Sequence, residues 1–148
     1  MKAVIALGAN LGNPISQLEN AVLEISKVLF VVSVSKFIET EPVEAPGQPN
    51  YYNGVLIAET EMKPLDLLHL LQGIEVLGGR ERSTKNGART IDIDLIAYGE
   101  VFLDTADLTL PHPRAHLRSF VLKPWVSIDA NGVLPGRGEI KKLLAGLL

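Results

Sequence analysis

The chain is predicted to adopt an α+β fold, a ferredoxin-like βαββαβ sandwich built on an antiparallel sheet, with an extra C-terminal hairpin and short helices. Three observations predict it. Runs rich in β-branched residues alternate with stretches of helical apolar spacing, in the order strand, helix, strand, strand, helix, strand. Both helical stretches open on a proline, Pro14 and Pro64, where the missing N–H costs nothing. The 148 residues, 47% of them hydrophobic, suffice for one domain with its own core, and residues 1–148 are read as that single domain.

Residues 2–7 form an apolar run, the mark of a buried strand. Asn13 is a capping residue placed directly before Pro14, and Leu18, Val22, Ile25 and Leu29 follow at helical spacing. Residues 31–40 are β-branched and read as one strand. Residues 41–50 hold three prolines and a glycine and read as a long ordered loop. Residues 51–61 return as a strand. Leu67, Leu68, Leu71, Ile74 and Glu75 then lie along a helix that ends at Gly78-Gly79. Residues 80–90 are a polar, basic loop, residues 91–98 a strand, and short strands flank Asp104-Thr105. An antiparallel sheet with helices on one face leaves the other face to be covered by the tail or to bind something.

Composition excludes several classes. No apolar run of about 18 residues predicts a membrane span. The apolar start is too short for a secretory core, so the cytoplasm is the expected location. Cysteine is absent, which rules out disulfides and thiolate chemistry. A net charge of -3 argues against nucleic-acid binding. Against that background Arg80, Arg82, Lys85 and Arg89 crowd into one segment, a pattern suited to a small anion.

Ile91-Asp92-Ile93-Asp94-Leu95-Ile96 is the most informative stretch. Alternation along a strand puts Asp92 and Asp94 on one face and the apolar residues on the other. Two like charges side by side repel each other, and a hard cation between them, such as magnesium, would relieve this. The plainer alternative is a solvated strand with two surface charges. The arginines just upstream favour the metal, because guanidinium forks match phosphate oxygens and phosphoryl transfer needs that charge neutralised. Gly8-Ala9-Asn10-Leu11-Gly12-Asn13 lacks the Gly-Lys-Ser/Thr ending of a phosphate loop and reads as a strand-to-helix turn. Tyr51 and Asn53 share a strand face. They are either edge residues packed on the core or a seat for a flat, hydrogen-bonding heterocycle.

The segment from Lys85 to Ile96, Lys-Asn-Gly-Ala-Arg-Thr-Ile-Asp-Ile-Asp-Leu-Ile, resembles the signature of the 6-hydroxymethyl-7,8-dihydropterin pyrophosphokinases. The likeness extends through Gly8-Ala9-Asn10-Leu11-Gly12, Glu39-Thr40-Glu41-Pro42-Val43, Gln48-Pro49-Asn50-Tyr51-Tyr52-Asn53, Ile74-Glu75 and Pro111-His112 to Arg118 and Phe120. It implies transfer of diphosphate from ATP to the substrate hydroxymethyl oxygen, with AMP leaving, in folate biosynthesis. It implies two magnesium ions at Asp92 and Asp94, with Arg80 and Arg89 acting on the phosphates. Tyr51 and Phe120 would sandwich the pterin, while Asn53 and the backbone of Thr40, Pro42 and Val43 read its edge. Gln72, Arg82, Thr109, His112 and Arg118 would hold ATP, and Leu95 would meet the adenine. The implied partners are these two small molecules, with no nucleic acid and no membrane, and the implied assembly is a monomer. The short tail is not expected to carry a second enzyme.

Two other readings compete. A nucleotidyltransferase also uses paired aspartates but shows a Gly-Ser turn before them, where Gly87-Ala88-Arg89 stands here. An RNA-binding module wants basic and aromatic residues interleaved on the sheet, where Asp92 and Asp94 stand.

Overall fold

The computed structural model describes residues 1–41, 47, 49–78 and 91–148. Its central sheet holds β1 (Lys2–Ala9), β2 (Phe30–Val34), β3 (Ile38–Thr40), β4 (Tyr51–Glu59) and β5 (Asp92–Tyr98). The strand order is β2-β4-β1-β5, with β3 also beside β4, and every pairing is antiparallel. Helices α1 (Pro14–Ser26) and α2 (Pro64–Leu77) connect β1 to β2 and β4 to β5. Two small hairpins follow, β6 (Leu103–Asp104) with β7 (Thr109–Leu110) and β8 (Val133–Leu134) with β9 (Gly138–Glu139). A 3-10 turn (Ala115–Leu117), α3 (Ser119–Ile128) and α4 (Ile140–Leu147) complete the described elements.

Local chemistry sets these boundaries. Asn13 caps α1, its Oδ1 accepting the Ser16 N–H at 3.3 Å, and Pro14 occupies the first turn. The expected single strand over 31–40 is broken in two. The Ser35 hydroxyl accepts the Val55 N–H at 2.9 Å, where a backbone carbonyl would stand in an unbroken ladder. Phe37 then crosses over Gly54, where an added Cβ would lie 2.6 Å from the ring. The chain thus resumes beside β4 as the short β3.

Strands β1, β4 and β5 bury residues on both faces of the sheet, while β2 stays largely exposed. On one, Ile5, Leu7, Leu56 and Leu95 pack with Leu18 and Ile25 of α1 and with Leu67 and Leu71 of α2. On the other, Val4, Ala6, Val55, Ile57 and Ile96 pack with Val121, Leu122 and Trp125 of α3 and Ile140 of α4. Each such side chain contributes about 1.5–3 kcal/mol on leaving water. Asp129 pins α3 to the start of β1: its Oδ2 accepts Lys2 Nζ at 2.6 Å and Trp125 Nε1 at 2.9 Å. The second face therefore has two fates. The C-terminal helices cover its middle, while the end formed by Gly8, Asn53, Asp92 and Asp94 opens into a cavity.

Candidate active site

The cavity, of about 230 Å³, is lined by Ala6, Leu7 and Gly8 of β1, Tyr51 and Asn53 of β4, and Asp92 and Asp94 of β5. Thr40 and Glu41 close one side, and Arg118, Phe120 and Val121 the other. Backbone register explains the room. Ala6 lies opposite Asp94 and Gly8 opposite Asp92, so the neighbouring strand offers little bulk beside either carboxylate. Gly8 also lies opposite Asn53, and a Cβ there would stand 2.7 Å from Asn53 Oδ1. Asn53 itself is buried, and its Nδ2 donates to Thr40 Oγ1 at 2.7 Å, tying the end of β3 to the cavity floor.

Along β5 the burial alternates as the sequence predicts, with Ile93 and Leu95 in the helix-side core and Asp92 and Asp94 half-buried on the cavity side. Between Val4/Ala97 and Ile5/Leu95 the register slips by one residue, a bulge that leaves Ile96 extra. The Ile96 carbonyl then accepts the His112 N–H at 2.8 Å, which draws the segment after β7 against β5. A second cavity results, lined by Leu68, Ile93, Asp94, Leu95, Asp107, Leu108, Thr109, His112 and Pro113. Asp94 belongs to both cavities.

Burial lowers the His112 pKa from its ordinary value; Arg118 and Arg114 lower it further, against an opposing pull from Asp94. His112 is thus neutral at neutral pH, and its Nδ1 accepts the Arg114 N–H at 3.2 Å. Arg118 sits over the Phe120 ring, 5.6 Å from its centroid, within reach of a cation–π contact.

The expected residues therefore sort into groups. Thr40, Tyr51, Asn53, Asp92, Asp94, Arg118 and Phe120 meet in the first cavity. Leu95, Thr109 and His112 meet in the second. Gln72 lies exposed on α2 and lines neither. Pro42, Val43, Arg80, Arg82 and Arg89 lie outside the described residues. Sequence reasoning missed Ala6 and Gly8 as space-makers, Glu41 and Val121 as walls, and Glu75. The last is a buried carboxylate on α2 whose Oε2 accepts the Ile93 N–H at 2.7 Å. Glu75 falls at the apolar spacing of α2, but glutamate is rarely buried and its strand partner follows only from the fold; the small residues facing the aspartates follow only from the register.

Chemically, two carboxylates with cavity space before them suit a hard cation. Among the described residues no group of three or more His, Asp or Glu could hold a metal alone. That donor set fits magnesium, which binds through one or two carboxylates and completes its shell with water and phosphate oxygens. Among the described residues no helix is long and apolar enough to cross a membrane.

Residues 4–130 match the family model described as 7,8-dihydro-6-hydroxymethylpterin-pyrophosphokinase (HPPK). The chain is 40% identical to the 2-amino-4-hydroxy-6-hydroxymethyldihydropteridine pyrophosphokinase of Haemophilus influenzae, covering 96% of this chain and 90% of that one. It is 36% identical to the protein of the same name from Pseudomonas aeruginosa, over 97% and 90%. Among solved structures it resembles a crystal structure of an HPPK-DHPS in complex with substrates, with a TM-score of 0.77 and 14% identity. That match covers 98% of this chain and 42% of the other, and at such identity it is a likeness of fold.

Proposed function

The chain belongs to the 7,8-dihydro-6-hydroxymethylpterin-pyrophosphokinase family, and from that premise we propose that it transfers diphosphate from ATP to 6-hydroxymethyl-7,8-dihydropterin in folate biosynthesis. The products are the pterin diphosphate and AMP. The observation that carries the reading is the double position of Asp94, which lines both cavities. An acceptor in the first and a nucleotide in the second would meet at the aspartates.

In this reading the pterin lies between Tyr51 and Phe120, aromatic walls of the first cavity. Asn53, held by its bond to Thr40, reads the polar edge of the ring together with the backbone of Thr40, Pro42 and Val43. Leu95, Leu68 and Leu108 form an apolar wall for the adenine, with Thr109 and the neutral His112 as polar contacts. Gln72, Arg82 and Arg118 stay with the nucleotide only as the family resemblance implies: Arg118 borders the first cavity and Gln72 neither. Asp92 and Asp94 would hold two magnesium ions, which when bound would supply positive charge against the phosphates. Arg80 and Arg89 add guanidinium groups as charge develops between the β-phosphorus and the departing AMP. The strand order β2-β4-β1-β5, antiparallel throughout, supports a ferredoxin-like arrangement, with residues 1–148 acting as one domain.

The test is product identity. Incubation with ATP, magnesium and hydroxymethyldihydropterin should yield AMP and pterin diphosphate in equal amounts. Free pyrophosphate would instead indicate nucleotidyl transfer, and no turnover would remove the reading. A substitution probes the acceptor cavity. Gly8→Ala forces Asn53 aside, because the new methyl group would lie 2.7 Å from its Oδ1. We expect the KM for the pterin to rise about tenfold, the equivalent of roughly 1.4 kcal/mol, with the KM for ATP within about twofold of wild type. Equal changes in the two constants would show that Gly8 does not shape the pterin side.

A further inference from the structure

We propose that Glu75 is a positioning residue that sets the aim of Asp92 and Asp94 by holding the β5 backbone between them. The proposal rests on the reading of those aspartates as metal-holding groups. It begins from one bond: Glu75 Oε2 accepts the N–H of Ile93, the residue between the two, at 2.7 Å. Successive side chains of a strand project to opposite faces from one pleated backbone. A tilt of the peptides at Ile93 would therefore swing both carboxylates at once.

The strand needs such a restraint. In the described sheet β5 is a terminal strand, and β1 is its one neighbour there, through the pairs Leu7/Ile93, Ala6/Asp94 and Gly8/Asp92. On the outer edge the His112 N–H is bonded to the Ile96 carbonyl, past the bulge. The Glu75 bond grips the same edge beside the aspartates.

The choice of side chain points the same way. Glu75 is only 5% exposed, between Ile74 and the end of α2. Burying a carboxylate is expensive even when it is hydrogen-bonded, and an apolar residue would join α2 to β5 at less cost. What an apolar residue cannot do is accept the Ile93 N–H. Glutamate also has the length to reach from the helix to the strand edge. Residues that orient metal-binding groups without touching the metal typically matter by about 10- to 100-fold in metal affinity or activity.

Two variants separate reach from charge. Glu75→Gln keeps an acceptor oxygen at the same length without the charge, and Glu75→Asp keeps the charge but falls one carbon short. In the metal-free protein, exchange of the Ile93 amide should stay slow in E75Q and speed up at least about tenfold in E75D. With a non-hydrolysable ATP analogue, the manganese concentration for half-saturation, followed by electron paramagnetic resonance, should rise about tenfold in E75D and stay within about threefold in E75Q. Pterin affinity should hold in both. Slow Ile93 exchange and normal manganese binding in E75D would overturn the proposal. So would a fall in pterin affinity matching the loss of manganese, because that marks general loosening. Asp94→Ala serves as the control. If it binds manganese normally, the metal reading itself fails; if it loses manganese while E75D does not, Glu75 alone is wrongly assigned.

Discussion

Asp94→Ala is expected to abolish turnover, with kcat/KM falling by at least about 10³-fold, some 4 kcal/mol of transition-state stabilisation. The size follows from position. Among the described residues Asp94 is the acidic one that borders both cavities, and in the proposed reading acceptor oxygen and nucleotide phosphate would meet there. Its neighbour across the ladder is Ala6, which offers no donor or carboxylate in its place. Asp92 remains, but two ions clamping a phosphate chain need both acids. The fold should survive, since the side chain faces a cavity and the strand's packing residues, Ile93 and Leu95, are untouched. Stability should stay within about 1 kcal/mol of wild type. The buried Trp125, the single tryptophan of the chain, reports this through its fluorescence. Wild-type turnover by the variant would remove the metal assignment.

Arg89→Ala should lower kcat by about 10²- to 10³-fold while changing the KM for ATP less than about fivefold. Arg89 lies outside the described residues, so the expectation comes from sequence and charge: it stands three residues before Asp92 in a segment with three other cations. In the proposed site, ground-state ATP would keep its magnesium and its other donors when one guanidinium is lost. Charge that moves off the β-phosphorus as the bond breaks has fewer partners, and a group aimed there acts on the rate. Steady-state kinetics with both substrates varied decides the matter. A large rise in KM with kcat intact would make Arg89 an ATP-binding group instead.

Much of the site was legible because it follows from alternation. Asp92 and Asp94 share a face, as do Tyr51 and Asn53, and both pairs enter the same cavity. Capping chemistry likewise located α1 at Asn13-Pro14. What escaped depended on contacts between distant segments. The break after Val34 comes from Ser35 bonding to Val55 and from Phe37 lying over Gly54, 17 positions away, so the β-branched run alone looked continuous. Gly8 looked like a turn glycine, yet it belongs to β1, where lack of a side chain leaves room for Asn53. Glu75 sits at helical spacing among leucines, and its bond to Ile93 depends on a strand 18 positions away.

In the proposed function Asp92 and Asp94 hold divalent cations between an acceptor cavity and a nucleotide cavity. The most direct measurement is a crystal structure with manganese, a non-hydrolysable ATP analogue and the pterin, with the metals located by anomalous scattering. Peaks are expected at ordinary coordination distance, roughly 2.0–2.2 Å, from oxygens of both aspartates and of the phosphates, with adenine beside Leu95 and the pterin between Tyr51 and Phe120. Metal peaks away from both carboxylates, or a nucleotide bound outside these cavities, would contradict it.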